Sequence, residues 1–311
     1  MRSPTTCTSQ SWLKTWSDAP AGMNGRAQRL ADTQWAAVVP AVNKREEGVS
    51  VYLAANLSML FDDRPMSERF GAAAAAGFST VEIQFPHFHP LEELQRARDA
   101  AGVDIVLINV PAGDPEAGEA GMASLPGRET DFRAAVDTCL DYARGLGARK
   151  INVLAGKPPA DAPREEIWKT LTGNLRLAAD RLGEAGLAVQ VEAINPVDVP
   201  GFFLNSLDAG LEALARAERE NLQLQFDFYH MAITEPSLNE AITRAGPHIG
   251  HVQFADNPGR HEPGTGTLDL LSAIAALRAT GYDDALAAEY RPAGRTEDGL
   301  GWMADFTRAI S

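Results

Sequence analysis

Cysteine and long apolar runs are scarce in this chain, and each scarcity excludes a class of protein. Only Cys7 and Cys139 occur among 311 residues, so neither a disulfide framework nor a cysteine-rich zinc site is expected. No apolar run reaches the ~18 residues of a membrane span, and no hydrophobic region of a secretory signal is present. We therefore expect a cytoplasmic protein without a membrane partner.

Positive charge is scarce as well. The chain has 28 Lys and Arg residues against 42 Asp and Glu residues, which gives a net charge of −14. The basic residues do not cluster, and this argues against nucleic acid as a partner. The expected partner is a small molecule, and an anionic one would need a local cation or a metal ion to hold it. The sequence leaves open whether the chain forms a homo-oligomer.

The chain divides at about residue 48. Residues 1–48 mix Ser, Thr, Pro, Gly and Trp without sustained periodicity, so we interpret them as a disordered extension, a cloning remnant or the product of a misassigned start. Residues 49–311 alternate regularly between apolar strands and helices, as expected of one domain. The predicted strands are VYLAANLSML, STVEIQFP, VDIVLINVP, KINVLAG, AVQVEAIN, LQLQFDFYH, GHVQFAD and ALAAEYRP.

Eight apolar strands that alternate with eight helices predict an α/β fold with a parallel sheet covered by helices. The span of about 260 residues is the size of a (β/α)₈ TIM barrel. An open doubly wound sheet is the alternative, but no G-x-G-x-x-G motif follows the first strand. Long connections rich in Pro and Gly follow the third, fourth and seventh strands. We expect them on the active-site face of the barrel.

Four polar residues stand at the ends of the last four predicted strands: Glu192, Asp227, Gln253 and Glu289. Their spacings of 35, 26 and 36 residues each match one strand-and-helix unit of roughly 30 residues, so they should meet on one face of the barrel. One such residue alone more often caps a turn, but buried carboxylates need a partner or a metal. Three carboxylates and an amide oxygen favour Mg²⁺ or Mn²⁺ over zinc.

The motifs at these strand ends resemble those of the hydroxypyruvate isomerase family, which belongs to the xylose isomerase-like barrels. The similarity runs from about Leu53 to Asp305 and rests on ANLSMLF, VEIQFP, NVPAGD, LPGRE, VEAIN, QFDFYHM, ADNPGRHEPGTG and EYRP. It implies that Glu192 and Glu289 are the catalytic pair. It also implies that Asp227 and Gln253 complete the metal site, and that His230 faces a substrate oxygen.

An isomerisation of this type moves a proton between adjacent carbons through an enediolate. Two glutamates can act as base and acid, while a divalent cation stabilises the oxyanion. The carboxylate of hydroxypyruvate would also need a donor. Lys157, which matches a lysine of the family motif, is the first candidate, and Arg260 is the second. A packed histidine and a solvated loop lysine are the ordinary alternatives for His230 and Lys157.

Three departures from the family pattern bear on the substrate. Ala193 follows Glu192 where the family often has Pro, Thr267 stands in place of a Glu, and Ile108 precedes the Asn of NVPAGD. Thr267 and Ile108 are expected near the pocket rim, where they would affect substrate choice.

The leading hypothesis is interconversion of hydroxypyruvate and tartronate semialdehyde (2-hydroxy-3-oxopropanoate). A 2-oxo-tetronate isomerase is the nearest alternative. A ketose 3-epimerase or a dehydratase of the same barrel group is more distant, since such epimerases usually carry His where Gln253 stands. A nuclease-like barrel would need more histidine ligands than six histidines supply. The non-enzyme alternative is an inert sugar-acid-binding barrel, and the retention of both glutamates argues against it.

Overall fold

The computed structural model describes residues 51–311, so the predicted extension over residues 1–48 lies outside the described residues. Eight parallel strands close into a barrel in chain order, with the eighth strand paired to the first. This confirms the predicted (β/α)₈ TIM barrel. The strands are β1 Tyr52–Asn56, β2 Thr80–Ile83, β3 Asp104–Asn109, β4 Lys150–Val153, β5 Ala188–Glu192, β6 Leu222–Asp227, β7 Ile249–Phe254 and β8 Ala285–Ala288.

Nine α-helices accompany these strands within residues 51–311. They are α1 Met66–Ala75, α2 Leu91–Ala101, α3 Glu129–Leu146, α4 Arg164–Gly183, α5 Leu207–Ala217, α6 Phe228–Thr234, α7 Leu238–Ala245, α8 Leu270–Ala279 and α9 Met303–Ile310. Their buried faces pack on the outer face of the barrel in one continuous apolar core. Among the described helices, none is long and apolar enough to cross a membrane.

Two strands end earlier than their apolar sequences predict, because a side chain stops each of them. Asn56 ends β1, where its Oδ1 accepts from the Ser58 amide at 2.9 Å and turns the chain. Asp227 ends β6, where its Oδ1 accepts from the Tyr229 amide at 2.8 Å. That contact is a helix N-cap, so the residues FYH begin α6 instead of extending the strand.

The loops after β3 and β4 are joined at the carboxyl end of the barrel. Gly121 pairs with Ala155 in an antiparallel bridge, and the Ser124 amide donates to the Ala155 carbonyl at 2.8 Å. A Cβ on Gly121 would lie 2.4 Å from the Leu154 carbonyl oxygen, and one on Gly156 would lie 2.1 Å from the Gly121 carbonyl oxygen. Both glycines also have positive φ angles, so only glycine fits this crossing.

The amino-terminal end of the barrel holds an ion pair between the buried Lys150 and the partly exposed Asp284. The Lys150 ammonium at the start of β4 lies 2.8 Å from Asp284 Oδ2 and donates to the Gly250 carbonyl at 2.6 Å. The Tyr52 hydroxyl donates to Asp284 Oδ1 at 2.7 Å, and Arg149 donates to that hydroxyl at 2.7 Å. Although burial alone would raise it, these neighbours lower the pKa of Asp284 to about 2.

Replacing Asp284 with Asn should lower the free energy of unfolding by about 3 kcal/mol, because it leaves the Lys150 ammonium buried without its counter-ion. The folded-state pKa of about 2 lies below the ordinary 3.8, so the stabilisation is present above pH 4 and is lost as the pH falls toward 2. Chemical denaturation of both proteins at pH 7 and pH 3 measures the difference.

The exposed neighbour Asp283 provides the matched control, since Asp283→Asn removes the same charge from solvent. Equal stability of the Asp284 and Asp283 variants at pH 7 would contradict the structural role of the ion pair.

Candidate active site

The structure brings the four predicted ligands together at the carboxyl end of the barrel, and all four are buried. Glu192 and Asp227 are the last residues of β5 and β6, Gln253 is in β7, and Glu289 directly follows β8. The Gln253 amide donates to Glu289 Oε1 at 3.1 Å. The Gln225 amide donates both to Gln253 Oε1 at 2.6 Å and to Glu192 Oε2 at 2.9 Å. The site therefore forms one hydrogen-bonded unit across four strands.

Glu289 and Glu192 are each fixed through one carboxylate oxygen. Glu289 Oε1 accepts from the side-chain amides of Asn56 at 3.0 Å, Gln84 at 2.7 Å and Gln253 at 3.1 Å. Glu192 Oε2 accepts from Asn152 at 3.0 Å, in addition to Gln225. Asp227 repeats the pattern, since its Oδ1 caps α6. These contacts set the orientation of each carboxylate.

The second oxygen of each carboxylate faces a common space. Glu192 Oε1 lies 3.9 Å from His230 Nε2, and Asp227 Oδ2 lies 3.5 Å from the same nitrogen. Arg260 Nη2 contacts Asp227 Oδ2 at 3.3 Å and makes a close contact with Glu289 Oε2. Glu192 thus faces the histidine, Glu289 faces the arginine, and Asp227 faces both.

These carboxylates outnumber the nearby positive charges. Burial and the neighbouring acids raise the pKa of Glu192 well above its ordinary value. Burial also raises the pKa of Glu289 to about 8 and raises that of Asp227, although Arg260 acts in the opposite direction on both. The two glutamates therefore hold protons more readily than free acids do, and a divalent cation would compete with those protons. The buried oxygen donors fit a divalent cation such as Mg²⁺ or Mn²⁺.

His230 is a neutral donor in this site. Asn195 Oδ1 accepts from the amides of Val197 at 3.0 Å and Asp198 at 2.9 Å, so its Nδ2 must face His230 Nδ1, 2.7 Å away. Nδ1 therefore accepts, and the proton lies on Nε2. Burial, followed by the charge of Arg260, lowers the pKa of His230 well below its ordinary value. Glu192, Asp227 and His230 are close enough to share an ion, with ligand atoms within 4.8 Å. However, a protonated Nε2 favours donation to an oxygen.

The two predicted donors for a substrate carboxylate occupy different places. Lys157 is exposed on the loop after β4, and its Nζ lies 4.0 Å from where a Cβ on Gly118 would be. Arg260 is only 4 % exposed and lies against the carboxylates, with its guanidinium carbon 5.0 Å from the centre of the Tyr229 ring. Arg260, the second candidate from sequence, is therefore the cation inside the site.

Of the two residues predicted at the pocket rim, Thr267 is exposed and Ile108 is buried. Thr267 is exposed on the loop after β7, where its hydroxyl donates to the Asn257 carbonyl at 3.1 Å. The prediction for Ile108 is wrong, because this residue is fully buried in the outer core. Successive strand residues point to opposite faces, so Asn109 faces the pocket and Ile108 faces the helices.

Sequence reasoning missed a second layer of polar residues inside the barrel. Glu82 Oε1 accepts from Asn56 at 2.7 Å and from Gln253 at 2.6 Å, and Glu82 Oε2 lies 2.7 Å from His251 Nε2. The sequence signal that could have identified these residues is the two-residue period of a strand, which places alternate side chains on the same face. Glu82 precedes Gln84 by two positions and His251 precedes Gln253 by two, so each pair shares the interior face.

A small cleft leads to the two glutamates. It holds about 290 Å³ of empty space, part of it open to solvent. Its lining combines amides and acids with a few apolar side chains: Gln84, Phe85, Asn109, Leu154, Glu192, Ile194, Gln225 and Glu289. The polarity of this lining suits a small polar molecule.

Comparison with known proteins agrees with this geometry. The family model described as xylose isomerase-like TIM barrel matches residues 70–306. The chain is 42% identical over 253 residues to a 2-oxo-tetronate isomerase of Cupriavidus necator, which covers 81% of this chain and 97% of the relative. It is also 42% identical over 250 residues to a hydroxypyruvate isomerase of Escherichia coli, with 80% and 97% covered.

A solved structure resembles the whole barrel. The crystal structure named AP endonuclease, family 2, from Brucella melitensis superposes with a TM-score of 0.80 at 37% identity. The match covers 82% of this chain and 99% of that chain.

Proposed function

Because the chain belongs to the xylose isomerase-like TIM barrel family, we propose that it is an isomerase that interconverts hydroxypyruvate and 2-hydroxy-3-oxopropanoate (tartronate semialdehyde). The observation that carries this proposal is the pair Glu192 and Glu289. Both are buried on separate strands, and each directs one carboxylate oxygen toward a space beside a neutral histidine and an arginine. An acid and a base on two sides of a small polar substrate are what a proton shift between adjacent carbons requires.

A second candidate is the isomerisation of a 2-oxo-tetronate, which uses the same chemistry on a substrate with one more carbon. The relatives that carry the two names are equally similar to this chain, at 42% identity each. The nuclease name of the Brucella melitensis structure receives less support from the site. His251 Nε2 lies 2.7 Å from Glu82, and the contact of His230 Nδ1 with Asn195 at 2.7 Å places the His230 proton on Nε2, where it favours donation to an oxygen.

The proposed reaction leaves the composition of the substrate unchanged, and proton exchange with water returns the two glutamates to their starting states. One glutamate removes a proton from the hydroxymethyl carbon, and the resulting enediolate regains a proton at the adjacent carbon from the other glutamate. A proton also passes from one substrate oxygen to its neighbour, so that carbonyl and hydroxyl exchange places. His230 donates its Nε2 proton toward the developing oxyanion.

The metal part of the proposal rests on the donor set. Glu192, Asp227, Gln253 and Glu289 would hold Mg²⁺ or Mn²⁺, which would supply positive charge to the oxyanion. Asn152, Gln225, Asn56 and Gln84 orient the glutamates through hydrogen bonds, so little reorganisation is needed when charge develops.

Glu192→Gln and Glu289→Gln should each reduce turnover by ~10²–10⁴-fold, because each removes an acid or a base while keeping the shape of the side chain. Steady-state kinetics with hydroxypyruvate measures the loss, and circular dichroism checks that the barrel is intact. Retention of more than about a tenth of the wild-type turnover by either variant would exclude the two-glutamate mechanism.

The substrate and the cofactor can be tested together on the wild-type chain. A coupled assay should give turnover with hydroxypyruvate, a loss of turnover after chelation, and better recovery with Mg²⁺ or Mn²⁺ than with Zn²⁺. A higher kcat/KM with 2-oxo-tetronates would favour the second candidate. Full activity in protein that elemental analysis shows to be metal-free would exclude the cation.

Lys157→Met should raise the KM for hydroxypyruvate more than it lowers kcat, because a loop cation would hold the substrate carboxylate equally in ground and transition states. Methionine keeps the apolar stem, so only the charge is tested. Lys169→Met, at an exposed position of α4, is the matched control. Identical kinetics for the Lys157 variant and the control would assign Lys157 to the solvated surface.

A further inference from the structure

The side-chain amide of Asn195 is held in one orientation. The residue is fully buried in the loop that follows β5, three positions after Glu192. Its Oδ1 accepts from the backbone amides of Val197 at 3.0 Å and Asp198 at 2.9 Å, and its Nδ2 donates to Asp198 Oδ2 at 3.1 Å. Two donors beside the oxygen and a carboxylate beside the nitrogen both exclude the flipped amide. The nitrogen of Asn195 therefore faces His230.

This orientation determines which ring nitrogen of His230 carries the proton. Asn195 Nδ2 lies 2.7 Å from His230 Nδ1, which is a hydrogen-bond distance. An amide nitrogen only donates, so His230 Nδ1 must accept and carries no proton. The proton of the ring therefore lies on Nε2.

His230 lies close enough to the proposed cation ligands to be one of them. Its Nε2 is 3.5 Å from Asp227 Oδ2 and 3.9 Å from Glu192 Oε1, and the candidate ligand atoms of the three residues lie within 4.8 Å of one another. An imidazole nitrogen binds a metal ion through its lone pair, which a protonated Nε2 does not offer. The proton on Nε2, and not the distance, keeps this histidine out of the ligand set.

A nitrogen ligand would change which metal ions the site prefers. Oxygen ligands suit Mg²⁺ and Mn²⁺, whereas an imidazole nitrogen adds affinity for Zn²⁺. In zinc sites the histidine ligand commonly donates its other ring N–H to a carboxylate, which leaves an unprotonated nitrogen for the metal. Asn195 places an amide donor where such a site would have a carboxylate acceptor.

We propose that Asn195 is a positioning residue that fixes the Nε2–H tautomer of His230, keeps this histidine out of the cation site and so restricts the site to oxygen ligands. The inference rests on the proposed function, because it concerns the cation proposed there. It adds a residue that sets the choice of metal without touching the metal. The same tautomer keeps the Nε2 proton of His230 available to a substrate oxygen.

An exchange of two neighbouring side chains tests this assignment without changing the charge of the loop. In the double variant Asn195→Asp/Asp198→Asn, the new carboxylate can still accept from the two backbone amides. Its second oxygen can accept from the new amide at position 198 and from Nδ1–H of His230. Asn195→Asp alone would place a carboxylate oxygen 3.1 Å from the Asp198 carboxylate, which the exchange avoids. Asp198→Asn alone is the matched control, because it leaves the amide of Asn195 in place.

The tautomer of His230 is measured first, on the chelator-treated full chain, by two-dimensional ¹H–¹⁵N NMR of the imidazole rings. This experiment distinguishes protonated from unprotonated ring nitrogens. The chain has six histidines, and a His230→Gln variant identifies the signals of His230. The wild-type chain and the Asp198→Asn control should both show the Nε2–H form. The double variant should show a protonated Nδ1.

Calorimetric titrations with Mg²⁺ and Zn²⁺ then measure the metal preference. The double variant should bind Zn²⁺ roughly 10–100-fold more tightly than the wild-type chain, the usual size of the effect of a residue that orients a metal ligand. Its Mg²⁺ affinity should change little, and the Asp198→Asn control should match the wild-type chain with both ions. In the Zn²⁺-loaded double variant, the ¹⁵N signal of His230 Nε2 should shift to that of a metal-bound nitrogen.

Two results would overturn the inference while leaving the proposed function intact, which turnover of hydroxypyruvate measures separately. The first is an Nδ1–H tautomer of His230 in the wild-type chain. The second is a double variant that is folded by circular dichroism and yet has the same ratio of Zn²⁺ to Mg²⁺ affinity as the control. If the double variant does not fold, the wild-type chain still decides, since His230 must keep its Nε2–H signal after Zn²⁺ is added.

A third result would overturn the inference together with the proposed cation. It is a wild-type chain that binds neither Mg²⁺ nor Zn²⁺ and isomerises hydroxypyruvate without a metal. The site would then have no ligand set for Asn195 to restrict.

Discussion

The site depends on one constraint: several carboxylates are buried in a closed barrel, where each must be hydrogen-bonded or neutralised. The chain meets this constraint by placing the two oxygens of each carboxylate in different surroundings. One oxygen of Glu192, Asp227 and Glu289 is fixed by amide donors, and the other is left for chemistry. The amide side chains inside the barrel therefore fix the orientation of the active-site carboxylates.

The two ends of the barrel solve the problem of buried charge differently. At the amino-terminal end, Lys150 and Asp284 form a pair whose charges balance and whose neighbours hydrogen-bond to both. At the carboxyl end, Arg260 contacts both Asp227 and Glu289, and Glu192 is buried nearby, so acids exceed the contacting guanidinium. A balanced pair stabilises the barrel, whereas an excess of acids favours the binding of a cation. Stability and reactivity are thereby separated along the barrel axis.

The sequence predicted the barrel and the four strand-end residues because both follow from periodicity. Apolar strands at regular spacing have few other arrangements, and residues one repeat apart must meet at the same face. The interior layer of Glu82, His251 and Gln225 was missed, since a single polar residue in a strand is ordinary until its strand neighbours are known. Arg260 was named as a candidate for the substrate pocket, but its contact with Asp227 and Glu289 was not predicted. It depends on where a long loop returns to the barrel, and no period describes a loop.

The crossing of Gly121 over the loop after β4 has a consequence for how this barrel could acquire other substrates. Two carbonyls approach too closely for any Cβ, so neither loop can shift or lengthen at the crossing without the other. One of these loops carries Lys157, and the other begins beyond Asn109 in the cleft wall. The two loops would have to be inherited, or exchanged by an engineer, as a single cassette.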